Sequence, residues 1–173
     1  MKKIKIIGVF VIFALSFLSH FMYEWFPNDL FSIILPVNES IWEHMKLLVT
    51  PVLIFVLIEY IIYRKKDISY NNFVLSYSIS MIFGIIIYLL IYLPIHYIFG
   101  HSAIFAIGLL FITFIIIEII SYYIMQYRNI KYSNVIGLLI IGLMYIVFGY
   151  LTYNPIEIDM FYDKSKNIYG IPK

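Results

Sequence analysis

The sequence predicts an all-α fold, a polytopic transmembrane helix bundle of about five spans within one integral membrane domain, 1–173. Three observations predict it. Hydrophobic residues make up 63% of the chain and charged residues only 13%, with a mean hydropathy of +0.94. A soluble domain carries about 25% charged and about 45–50% apolar residues, so lipid must cover the surplus here. The apolar residues also fall into runs of roughly twenty, the length that crosses a bilayer core at a rise of about 1.5 Å per residue. Lastly, the basic residues and the helix breakers collect between those runs.

The first run, 6–22, follows a basic start at Lys2, Lys3 and Lys5. Ala14-Leu15-Ser16 resembles a signal-peptide cleavage site, but the apolar run continues past it, which favours a retained helix. Pro27, Asn28, Asp29 and Pro36 mark a loop. The second helix, 41–63, opens on Ser40 with Glu43 three residues later. That is the spacing of a capping box, in which each side chain satisfies the other's free backbone N–H. Pro51 predicts either a kink or the point where an interfacial turn becomes the spanning part. Further helices are expected at 72–93, ending before Pro94, at 102–123 and at 134–151. Gly137, Gly142 and Gly149 in the last would allow close helix contact. The polar tail, 154–173, alternates over Ile156–Met160, which suggests a short strand.

Charge sets the expected orientation. Five spans would place Lys2, Lys3, Lys5, Arg64, Lys65, Lys66, Arg128 and Lys131 at one membrane face, against four lysines (Lys46, Lys164, Lys166, Lys173) at the other. Basic residues stay in the cytosol, so the N-terminus is expected to be cytoplasmic and the tail extracytoplasmic. Membrane lipid is the expected surrounding and a homo-oligomer is a further expectation. Nucleic acid is not an expected partner, because the net charge is only +2 and the basic residues flank helices rather than forming a patch. The absence of cysteine excludes disulfides and thiolate metal sites.

The same arrangement delivers all four histidines to the outer face. The candidate polar site there is His20, Glu24, Asn38, Glu39, Glu43, His44, Lys46, His96, His101 and Asp163. Imidazole and carboxylate together can ligate a divalent metal such as zinc or do acid–base work. The candidate ligands are His20, Glu24, Glu43, His44, His96 and His101; no catalytic residue follows from the spacing. A plainer reading pairs Glu43 with Lys46 on the helix surface, where the pair contributes a few tenths of a kcal/mol (about 0.2–0.5). Glu118 and Glu59 are intramembrane acids. Glu118 is expected to be protonated, hydrogen-bonded to hydroxyls or paired with a cation. Glu59 is expected to snorkel toward water near Arg64.

The segment Asn38-Glu39-Ser40-Ile41-Trp42-Glu43-His44-Met45-Lys46, an N-E-S-x-W-E-H-x-K pattern, resembles the signature of a family of small bacterial integral membrane proteins of unassigned function. His20-x-x-x-Glu24, Phe161-x-Asp163 and Tyr169-Gly170-Ile171 are similar to that family as well. The resemblance implies a polytopic membrane fold and supplies no activity or cofactor. The expected function is a ligand- or partner-binding site at the outer face of a bacterial cytoplasmic membrane. A membrane-embedded metal-dependent hydrolase and a small transporter or channel component with Glu118 on its path are the alternatives.

Overall fold

The structure is a computed structural model that describes residues 1–171; Pro172 and Lys173, counted above with the tail, lie outside the described residues. Its main elements are α1 (Lys2–Trp25), α2 (Asp29–Ile34), α3 (Ile41–His44), α4 (Thr50–Lys65), α5 (Phe73–Phe99), α6 (Ala103–Gln126) and α7 (Ser133–Tyr153). The tail adds two paired two-residue strands, β1 (Tyr162–Asp163) and β2 (Ile168–Tyr169). Five segments are long and apolar enough to cross a membrane: α1, the stretch Ile41–Lys65, α5, α6 and α7. α5 packs against α6 and α7, and α1 packs against α4 and α6. Ile12, Phe55, Met81, Phe114 and Ile117 fill the centre with at most 1% exposure.

The second expected helix is broken. α3 gives way to a 3-10 turn at Met45–Leu48, and α4 starts only at Thr50. Pro51 stands in the first turn of α4, where its missing N–H costs nothing and its fixed φ suits helix entry. A turn therefore precedes the long helix at Pro51, and Pro51 kinks nothing. The third expected helix should have stopped before Pro94, but α5 runs through it to Phe99, with Gly100 as C-cap at φ 84°. One lost backbone bond is tolerable in an apolar helix that neighbours hold on both sides. His96 consequently lies in the last turn of α5 rather than in a loop.

Ile156–Met160 forms no strand; the paired strands lie later, at β1 and β2. The period-two alternation there has no burial counterpart, since Ile156, Glu157 and Ile158 are all exposed, and no partner strand lies alongside. The tail folds back over the bundle instead. Gly170, at φ 66°, brings its backbone so close to Thr152 that a Cβ would lie 2.5 Å from the Thr152 carbonyl oxygen. Phe161 stacks on Trp42 with ring centroids 5.0 Å apart.

Candidate functional site

The turn before α4 sorts its polar residues onto separate faces. Ser40 caps α3 by accepting the Glu43 N–H at 3.3 Å. Only this half of the capping box forms. The Ser40 N–H goes to Asn38 Oδ1 at 2.9 Å, and Glu43 accepts the Val37 N–H instead. Asn38 also donates to the Gly170 carbonyl at 2.7 Å, tying the turn to the tail. Glu43 and Lys46, one turn apart, point inward. Lys46 Nζ donates to Glu43 Oε2 (2.6 Å), the Ser32 carbonyl (2.7 Å) and Thr152 Oγ1 (2.8 Å). Thr152 donates to Glu43 Oε1 at 2.7 Å. Both charged side chains are at most 1% exposed, so the pair is a buried tie between the turn, α2 and α7 rather than a surface contact.

Glu39 and His44 face the other way, into a cavity of about 530 Å³. His20 reaches the same place from the end of α1. His44 Nε2 lies 3.4 Å, and His20 Nε2 3.8 Å, from Glu39 Oε2. The two imidazoles meet edge to face at 5.1 Å between centroids. One ligating atom from each of the three residues lies within 4.8 Å of the others, a spacing that could hold a metal ion. His44 Nδ1 is 2.8 Å from the Ser40 carbonyl oxygen. A carbonyl only accepts, so Nδ1 carries the hydrogen and Nε2 is turned toward Glu39. Nε2 and the carboxylate then face each other as two acceptors unless a proton or a cation stands between them. With a proton on Nε2, the hydrogen bond from His44 holds the Glu39 carboxyl below its ordinary range, against the opposing effect of burial.

The other two histidines line the same cavity from the opposite wall. His96 and His101 lie 6.2 Å apart between ring centroids. Tyr92 shares a hydrogen bond with His101 Nδ1 at 2.9 Å and stacks on His96 at 5.4 Å. Asp159 stands 3.9 Å from His96 Nε2 and 3.1 Å from Lys164 Nζ. Asp163 roofs the site: it accepts the Glu39 N–H at 3.0 Å and takes the Ser165 hydroxyl (2.6 Å) and the Ser165 and Lys166 N–H groups. Burial pushes the Asp163 carboxyl up, but these hydrogen bonds outweigh it and leave the group below its ordinary range.

The four histidines thus share one cavity as two pairs. Glu24 does not join them; it is exposed, about 6 Å further along α1 than His20, and does not line the cavity. Glu43 does not join them either, because Lys46 and Thr152 use its carboxylate. Tyr92 and Asp159 are additional members. Tyr88, Tyr92 and His96 recur every four residues on one face of α5, and that spacing was the available signal for Tyr92. Asp159 had none, since only the folded tail brings it near His96.

Glu59 and Glu118 form a separate cluster within the bundle. Lys5 Nζ is 3.1 Å from both Glu59 Oε2 and Glu118 Oε2, and it donates to Tyr77 (2.9 Å) and Ser121 (2.8 Å). Glu118 therefore has the expected cation and hydroxyl partners. Glu59 does not snorkel: it is fully buried and also takes the Tyr63 hydroxyl at 2.7 Å. Lys5 supplies a cation one turn inside the bundle, which removes the need to reach water.

Fold and site together describe a class: a helix bundle with five helices long and apolar enough to span a membrane, carrying a histidine- and carboxylate-lined cavity at one end. The chain matches a family of unknown function, DUF6512, over residues 1–171, and it belongs to that family. No curated protein and no solved structure is significantly similar to it.

Proposed function

We propose that this is a multi-pass protein of a bacterial cytoplasmic membrane, N-terminus inside, whose outer-face cavity is a ligand site built on a divalent metal ion such as zinc. His20, Glu39 and His44 hold the ion. The observation that carries the reading is the commitment of His44 Nδ1 to the Ser40 carbonyl, which turns Nε2 toward Glu39 and His20. A fixed tautomer, with the free nitrogen aimed at other donors, is how metal-ligating histidines are held. Two imidazoles and one carboxylate suit zinc, and an open fourth position would face the cavity. Elemental analysis of purified protein tests this. About one zinc per chain is expected, lost in His44→Ala and kept in Glu24→Gln. Wild-type protein that takes up no zinc, or a His44→Ala variant that keeps it, ends the proposal.

A metal-dependent hydrolase is the second reading. Three protein ligands with one open side on a substrate-sized cavity favour it, because that is the layout of catalytic rather than structural zinc sites. Zinc-dependent cleavage of a panel of p-nitrophenyl esters and phosphates, abolished in Glu39→Gln, would raise it above simple binding. The transporter reading gains nothing from Glu118, whose carboxylate is engaged by Lys5 and does not line the cavity.

A further inference from the structure

The shape of the cavity says what kind of molecule fits it. Its floor includes Leu110, seven residues into α6, and Phe17, eight residues before the end of α1. At about 1.5 Å per residue, those positions lie about 10–12 Å below the helix ends. The polar layer on each side of a bilayer is only about 5–8 Å deep. The cavity therefore passes from headgroup level into acyl-chain level.

Its apolar wall is uncovered at that depth. Phe17, Phe21 and Ile107 line the cavity and remain 42%, 44% and 41% exposed. Phe17 and Phe21 lie on α1 and Ile107 on α6, so the uncovered apolar surface lies in the gap between these two helices. Deeper down the gap closes, where Phe111 packs against Phe10 and Phe13 with centroids 5.8 and 5.0 Å apart. Above that level α6 presents the small side chains of Ala103 and Ala106 to the cavity.

The polar end favours an anion. Two neutral imidazoles and one carboxylate leave a bound divalent ion with one net positive charge. Asp163 is consumed by its four hydrogen bonds and Asp159 by Lys164. We infer that the occupant is a membrane lipid whose phosphate head is net anionic, with no ammonium group to balance it, which lies between α1 and α6, leaves its chain against Phe17 and Ile107 and sets its head at His20, Glu39 and His44. This rests on the proposed metal-centred ligand site and names the ligand class. A water-soluble phosphate ester would leave the apolar wall wet, and a plain hydrocarbon would leave the charged end uncompensated.

Native mass spectrometry of zinc-loaded protein in detergent tests it, with dioleoyl phosphatidic acid as the probe and dioleoyl phosphatidylcholine and glycerol 3-phosphate as comparisons. Ala106→Phe and Ile107→Trp fill the gap, and Leu139→Trp, on the far lipid face of α7, is the control. A one-to-one phosphatidic acid adduct is expected on wild type and Leu139→Trp. It should weaken about tenfold or more in the two gap variants, with zinc content unchanged and no displacement by glycerol 3-phosphate. If Ala106→Phe does not fold, Ile107→Trp decides, because Ile107 is already 41% exposed and a larger side chain there needs no core rearrangement. Equal adducts on all variants, displacement by glycerol 3-phosphate, or equal retention of phosphatidylcholine overturns the inference. Zinc measured on the same samples reports the metal separately. Zinc present with a gap-insensitive adduct removes the lipid alone, and zinc absent with a gap-sensitive adduct removes the metal alone.

Discussion

Lys46 shows how much one buried charge can organise. It is fully buried, and its ammonium joins the turn before α4 to the Ser32 carbonyl on α2 and to Thr152 on α7. Replacing it by methionine fills similar volume but leaves the Glu43 carboxylate buried without its cation. Removing one partner of such a pair costs about 3–5 kcal/mol. Lys46→Met should therefore lower the melting temperature in detergent sharply, and adding Glu43→Gln should restore part of the loss. A single variant as stable as wild type would show that the pair contributes nothing. Asp163 makes a pH prediction. Its folded pKa is depressed, so its contribution is complete above the ordinary aspartate range, near pH 4 (about 3.9), and fades as pH falls through the folded value. Protection from hydrogen exchange across 159–171, taken relative to the free-peptide rate at each pH, should stay high at neutral pH and fall below about pH 4. Asp163→Asn should exchange fast at every pH; slow exchange in that variant would mean that the carboxylate does not hold the tail.

At the scale of elements, close approach separates the glycines of α7. A Cβ at Gly137 would lie 2.6 Å from the Leu75 amide nitrogen and 2.7 Å from the Val74 carbonyl carbon, and backbone cannot move aside cheaply. Gly142 has nothing within 4 Å. Gly137→Ala should cost about 1–3 kcal/mol by forcing α5 and α7 apart, whereas Gly142→Ala should be neutral or slightly stabilising, since alanine is the better helix former. Thermal melts of both variants check this, and equal behaviour would refute the close packing. The glycines were visible in the sequence. Which of them meets a neighbour was not, because helix rotation about its axis is set by packing partners rather than by local propensity. Pro51 and Pro94 teach the same lesson: one begins a helix and the other sits inside one, and the local residues alone do not distinguish the cases.

Across the whole molecule, the sorting of basic residues predicts orientation. Lys65 ends α4 at the same end of the bundle as Lys5, which meets Glu59 one turn and a half earlier. A cysteine placed at position 65 of this cysteine-free chain should resist a membrane-impermeant thiol reagent in intact cells and react after lysis. Labelling in intact cells would invert the orientation. The candidate site was partly legible: His20, Glu39 and His44 stood out as polar residues in an apolar chain, and all four histidines do share one cavity. The division of labour inside the Asn38–Lys46 segment was not legible. Glu39 and Glu43 look alike in sequence, and only the fold turns one toward the cavity and the other toward Lys46. Lys5 looked like a helix flank, and only the packing of four helices around it makes it the counter-ion of two acids.

By itself the sequence determined that there are five long apolar helices, about where they lie, and which end collects imidazoles, because apolar run length and charge placement are local properties of the chain. Tertiary structure alone decided which of those imidazoles and carboxylates face one another, that the tail closes over them, and that α1 and α6 both line the cavity above Phe111. Those outcomes depend on distances between residues far apart in sequence, and such distances are fixed only when side-chain volumes and buried charges are satisfied together.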